Sequence, residues 1–442
     1  MTNKTYPSYI SKKQILLLSI PVFFSNLVIP LVGIIDTGLM GNLGDVKYLA
    51  ATSVATSVIT MIVWSFGFLR MGTAGLVAQL FGKSDYREIV KTLLRNLIIA
   101  LIIATLIILL KSVILHFSTI LFPTSIETQA LISTYMSTRI FSIPAELIIY
   151  ILIGFYLGLQ KTKTSSLLII FFSTLNITLS SFFVLSLNLD VLGVALGTLI
   201  SSYVTIFIFL IYTYNFIIKK FQIIPKFERL IIPSKIIKLF NINFDIFIRT
   251  LFLTFSFFWF TYLSAKLGED YLAVNTILMQ FIILASFFLD AYAFSTEGIV
   301  GFAIGRGNKK SFQLAVTNSI QISFFTAMII SLIYLIFFKQ IINILTDVEI
   351  LRFISYKHII WILIIPVTAS FCYQFDGIFI GATQTKEMRN AMMVSAASFI
   401  VISIYLTKYF GNHGLWFALL LFMVFRSMTL NFLINRITKK FR

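Results

Sequence analysis

A carboxylate inside an apolar run is the first place to look for chemistry in this chain. Leu16 to Gly44 reads LLLSIPVFFSNLVIPLVGIIDTGLMGNLG and carries one acid, Asp36, with Pro21 and Pro30 below it. About 20 apolar residues suffice to cross a bilayer, so this stretch predicts a spanning helix. An acid in hydrocarbon costs several kcal/mol unless it faces a polar cavity, finds a partner or takes up a proton. Prolines remove backbone hydrogen bonds and let a helix bend. An acid that switches charge, on a helix that can bend, can couple proton movement to a change of shape. The alternative is a structural acid hydrogen-bonded to Asn26 or Asn176.

A second group of charges falls in the other half of the chain. Asp290 and Glu297 are seven residues apart, so they share one helix face about 10 Å apart along its axis. With Arg249 and Asp376 they give three acids against one arginine, so a bound proton or cation is expected if all are ionised. The competing expectation is that Arg249 pairs with Asp290 and locks two helices, with Glu297 solvated near one membrane face. Glu146 is expected to pair with Arg139. Arg70 and Arg426 are expected to snorkel to headgroups, and Trp259, Tyr262 and Trp416 to sit in an interfacial belt. One cysteine, Cys372, and three histidines without shared spacing give no disulfide and no metal motif. No phosphate-cradling glycine loop is present.

The elements that must position these residues follow from composition. The 442 residues are 58% hydrophobic and 12% charged, against about 25% charged in a soluble domain. This is an all-α polytopic membrane protein. Apolar runs predict twelve transmembrane helices near 14–40, 48–80, 92–117, 131–158, 164–187, 192–218, 237–264, 271–304, 314–338, 355–383, 390–408 and 413–436. Of 35 Lys and Arg, 24 fall in alternate connections and ends, seven in the others and four in spans. That asymmetry places both termini, including Lys4, Lys12 and Lys13, in the cytoplasm. It also accounts for the net charge of +18 by contact with anionic lipid, without nucleic acid. The first run is too long for a cleavable signal. The basic segment Lys219 to Lys238, broken by Pro225 and Pro233, is read as an inner-face linker. It divides an N-lobe, 1–218, from a C-lobe, 237–442, with 219–236 between them.

The two halves align at an offset of 223. Gly75 falls on Gly298, Gly154 on Gly377, Gly158 on Gly381, and GFYLGLQKTK (154–163) on GIFIGATQTK (377–386). Six helices per half give both halves the same orientation. That predicts two six-helix bundles related by a pseudo-twofold along the membrane normal, with substrate bound between or within them.

Several segments carry a family resemblance: PLVGIIDTGLMGNLG (30–44), IRTLFL (248–253), LGEDYLAVNTILMQF (267–281), SFFLDAYAFSTEGIVGFAIG (286–305) and FDGIFIGATQTKEMRNAM (375–392). In order and spacing they resemble the multidrug and toxic compound extrusion (MATE) family, DinF-like branch, over essentially the whole chain. The resemblance implies a V-shaped pair of lobes and an inner-membrane antiporter. It implies export of amphipathic, often cationic compounds against a proton or sodium gradient. Asp36 matches the first-helix aspartate taken as proton-linked, and Pro21 the proline about which that helix is proposed to bend. Asn176 matches a fifth-helix asparagine, but Ser180 stands where the branch often has aspartate. Asp376 matches a tenth-helix aspartate that other branches use for a cation, which makes it a candidate sodium site. Arg249 occupies the helix where those branches carry their other acid.

The expected function is therefore secondary active antiport, without enzymatic activity or cofactor, by a monomer whose partners are small amphipathic substrates and membrane lipids. Two alternatives stand beside it. One is a flippase for lipid-linked saccharides, which needs a strongly cationic cavity. The other is an intramembrane lipid-modifying enzyme, which needs clustered His, Asp or Glu near one membrane face.

Overall fold

The computed structural model describes residues 10–122, 124–224, 230 and 232–441. Lys4 and part of the expected linker, including Pro225, lie outside the described residues. In hydrocarbon every backbone polar group must be satisfied within the protein, and apolar runs of this length do so as helices. They are α1 (Lys12–Gly41), α2 (Val46–Ser65), α3 (Phe68–Gly82), α4 (Tyr86–Leu109), α5 (Lys111–Leu121), α6 (Ile126–Arg139), α7 (Ile143–Gly158), α8 (Thr162–Leu185) and α9 (Asp190–Phe216). Then follow α10 (Pro233–Lys266), α11 (Glu269–Gly305), α12 (Lys309–Leu345), α13 (Glu349–Lys357), α14 (Ile359–Gly381) and α15 (Thr385–Thr438). Eleven continuous stretches of the described residues are long and apolar enough to cross a membrane.

Several expected spans are interrupted. The second breaks at Phe66–Gly67, between α2 and α3. The third divides at Leu110, and the fourth passes through a tight turn at Ile140–Ser142 just before Pro144. The eleventh and twelfth expected helices both fall within α15, which carries non-helical backbone at Gly411 (φ 55°). In an unbroken helix, residues 406 and 414 would lie about 12 Å apart. Instead a Cβ on Gly414 would collide with the Leu406 carbonyl, so the chain reverses at Gly411.

The chain forms two compact units, Phe24–Phe240 and Met1–Phe23 with Asn241–Arg442. The boundary near the amino terminus falls inside α1, two residues after Pro21. The start of α1 is bonded into the second unit: Ser19 Oγ donates to Ser295 Oγ at 2.9 Å, and Asn318 Nδ2 to the Ile10 carbonyl at 2.7 Å. The core of that unit is built on Phe260, Phe281, Phe338, Phe399, Trp416 and Phe422.

Each unit is internally held by the same backbone scheme at the offset of 223. In the first, a Cβ on Gly158 would stand 2.7 Å from the Ala74 carbonyl oxygen. In the second, one on Gly381 would stand 2.5 Å from that of Glu297. Gly154 approaches the backbone of Arg70, as Gly377 approaches that of Ala293. Asp85 caps α4 by accepting from Glu88 N at 3.0 Å, and Asn308 caps α12 from Ser311 N at 2.9 Å. The left-handed turns recur too, at Ser84 and Gly307 and at Gln160 and Thr383. Helices this close cannot accept a side chain between them. Gly381→Val is expected to cost about 1–3 kcal/mol or more by overpacking, seen as a lower Tm in detergent. Gly33→Ala, with open space around the new Cβ, should leave Tm unchanged or raised.

Candidate functional site

In the first unit Asp36 stands near the end of α1. It is half-buried, and its Oδ1 is buried with no hydrogen-bond partner among the described residues. No hydrogen bond among those residues joins it to Asn26 or Asn176. Arg139 and Tyr135 lie within its electrostatic reach. Arg139 is already committed elsewhere. Its guanidinium embraces Glu146, with Nη2 donating to Oε2 at 3.1 Å, and Ser142 Oγ donates to Glu146 Oε1 at 2.7 Å. The pair joins the last turn of α6 to the first turn of α7. The Tyr135 hydroxyl accepts from Thr56 Oγ1 at 3.2 Å. A neutral ion pair beside Asp36 leaves that carboxyl as the local group able to change charge.

The two fifth-helix candidates face α9. Asn176 Nδ2 donates to Thr198 Oγ1 at 2.8 Å, while its Oδ1 is unpartnered. Ser180 is fully buried, and its hydroxyl meets the α9 backbone at Gly197. Asn26 is buried on α1 above the unit boundary, and Pro21 lies below it, in the other unit.

In the second unit the charges are arranged differently from the sequence-based expectation. Asp376 on α14 accepts through Oδ2 from Arg249 of α10 and from Arg426 Nη2 of α15 at 2.5 Å. Arg249 therefore takes Asp376 as its hydrogen-bond partner, and Asp290 acts on it through its field. Arg426 does not snorkel; it is 3% exposed. A guanidinium is always charged and must find a carboxylate when buried. Spacing along α11 could not show that a residue 50 positions beyond Asp376 returns to it. With Arg426 counted, the group holds two arginines rather than one against its three acids. Glu297 is 1% exposed rather than solvated. Arg70 and Trp416 are likewise buried, not interfacial. Among the described residues, no three His, Cys, Asp or Glu side chains come together as a metal site.

Eleven candidate spans, duplicated helix packing and ionisable groups within the spans define a multi-pass membrane transporter rather than an enzyme. The MatE family model matches residues 21–182 and again 246–407. The chain belongs to the MatE family of compound-efflux transporters. It is 32% identical over 420 residues to the DNA damage-inducible protein F of Escherichia coli, spanning 95% of this chain and 91% of that one. It is 25% identical to the multidrug resistance protein NorM of Vibrio cholerae, over 75% of this chain and 73% of that one. A MATE structure solved in a bent conformation superposes with TM-score 0.87 at 20% identity, covering 97% and 96% of the two chains. A multidrug resistance MATE transporter in an outward-facing conformation gives 0.86 at 20%, with the same coverage.

The contrast between the two units is testable. Asp376→Ala strands two buried guanidinium groups and is expected to lower stability by about 3–5 kcal/mol. Asp36→Asn, which removes an unpaired acid, should leave Tm within a few degrees of the parent, both measured by thermal unfolding in detergent.

Proposed function

We propose that this chain is an antiporter that exports amphipathic, cationic organic compounds in exchange for protons, with Asp36 as the coupling carboxyl. The observation that carries this reading is the buried, unpartnered Asp36 Oδ1. An ionised carboxylate there attracts an organic cation; a proton neutralises it and removes that attraction. Binding of the two is then mutually exclusive, which is the minimum for exchange. Pro21 leaves the Leu17 carbonyl without its helical partner, in the turn before α1 passes from one unit to the other. A bend there would carry the charge state of Asp36 into a change of shape. Asn26 and Asn176 supply neutral polar groups in the same unit, and Ser180 contributes to the α8–α9 packing.

Several features favour this assignment over its alternatives. Asp376 Oδ2 takes two guanidinium donors, whose positive charges oppose a sodium ion bound beside them, so coupling is assigned to Asp36. Arg139 is paired with Glu146, and Arg249 and Arg426 share Asp376 with Asp290 in the field of Arg249, which argues against the strongly cationic cavity that a pyrophosphate-linked saccharide needs. The excess of Lys and Arg in alternate connections supports cytoplasmic termini in a bacterial-type inner membrane, and the chain is read as a monomer.

The test is transport of a panel of lipophilic cations in vesicles under separately imposed proton and sodium gradients. Wild type is expected to respond to the proton gradient. Asp36→Asn should lose that response by at least about tenfold, the effect of one charge worth about 1.4 kcal/mol. Undiminished proton-driven transport in Asp36→Asn would remove the assignment.

A further inference from the structure

Away from the charges described above, one end of the second unit holds a continuous polar network. It joins the last turn of α10, the first turns of α11, the α13–α14 junction and α15 on either side of the Gly411 reversal. The Trp416 indole is a donor only, and its Nε1 donates to Asn275 Oδ1 at 2.8 Å. That bond fixes which way the Asn275 amide points. Asn275 Nδ2 must then donate, and it does so to Ser264 Oγ at 2.8 Å and to Asn412 Oδ1 at 2.7 Å. Asn412 is fixed in turn. Its Nδ2 returns to Asn275 Oδ1 at 2.9 Å and sends its other hydrogen to His358 Nε2 at 3.0 Å.

His358 must therefore accept at Nε2. Its Nδ1 lies 2.7 Å from the Ile354 carbonyl, an acceptor only, so Nδ1 carries the proton. The ring is neutral by chemistry alone. A second indole treats the neighbouring ring the same way: Trp361 Nε1 donates to His413 Nδ1 at 3.0 Å. The two imidazoles stack with centroids 4.2 Å apart and planes within 10°. A proton on either ring turns an acceptor into a donor facing a fixed N–H and places a charge against the other ring.

We infer that Asn275, Asn412, His358 and His413 form a proton-sensitive clasp. It ties one end of this unit shut while both rings are neutral and lets it loosen when they are protonated. The surrounding charges fit this role. Lys357 adjoins His358 and opposes a second positive charge. Glu269, Asp270 and Tyr271 of α11 border the same hollow as Ile354. Lys266 of α10 lies over the Tyr262 ring and Lys408 of α15 over that of Tyr409. Burial first, then His413 and Lys357, push the His358 imidazole down to about 4, against the backbone bond to Ile354. With the free ring near 6.5, the clasp is at full strength above that value. It weakens as pH falls and is lost through about pH 4. His413 is exposed.

The experiment follows the indole N–H signals of the full chain in lipid nanodiscs by NMR, from about pH 7.5 to about pH 3, through the His358 transition. In wild type the Trp416 and Trp361 signals should move together, away from their hydrogen-bonded positions. In His358→Gln, whose side-chain oxygen accepts from Asn412 but does not titrate, the Trp416 movement should vanish. In Asn412→Asp, whose carboxylate favours the protonated ring, the Trp416 midpoint should rise, with proton affinity up about tenfold or more. A Trp416 signal that stays fixed in wild type overturns the inference. So does one that moves equally in His358→Gln, or a midpoint unmoved in Asn412→Asp.

Discussion

The dominant constraint on this molecule is that hydrocarbon offers a buried charge no water. The second unit meets it with two guanidinium groups on Asp376, joining α10, α14 and α15. The first unit meets it beside Asp36 with the closed pair of Arg139 and Glu146, and leaves Asp36 Oδ1 without a hydrogen bond among the described residues. A charge held in a buried ion pair serves stability, because removing either partner strands the other. One without such a partner is costly as an ion in hydrocarbon. The two repeats therefore differ in which carboxyl was given a guanidinium partner.

Most of the helices could be read from the sequence, because eighteen or more apolar residues in a row have few other solutions. The repeat was also legible, since Gly154 and Gly158 recur as Gly377 and Gly381 and mark helix pairs in backbone contact. What hydropathy could not show was interruption. Phe66–Gly67 and Leu110 break helices without breaking the apolar run, whereas the reversal at Gly411 falls in the connection expected between 408 and 413.

The site was legible in part. Asp36 stood out because it is alone in its span, and Glu146 found Arg139 because seven residues along a helix return to one face. The partner of Asp376 was hidden. Arg426 lies on a different helix, and no periodicity within one element predicts which distant element faces it. The same limit hid the roles of Asn275 and Asn412. Each is a polar residue among apolar ones, and they become meaningful once the fold sets the two amides edge to edge.

Helix contacts made by glycine against carbonyl depend little on the identity of surrounding side chains. The turns at Ser84 and Gly307 share a backbone shape although one is serine and the other glycine. After duplication, such a framework lets each copy change its interior almost freely, since the scaffold is written in main chain. Ancestral twins can thereby diverge in what their interiors carry while still looking alike in outline.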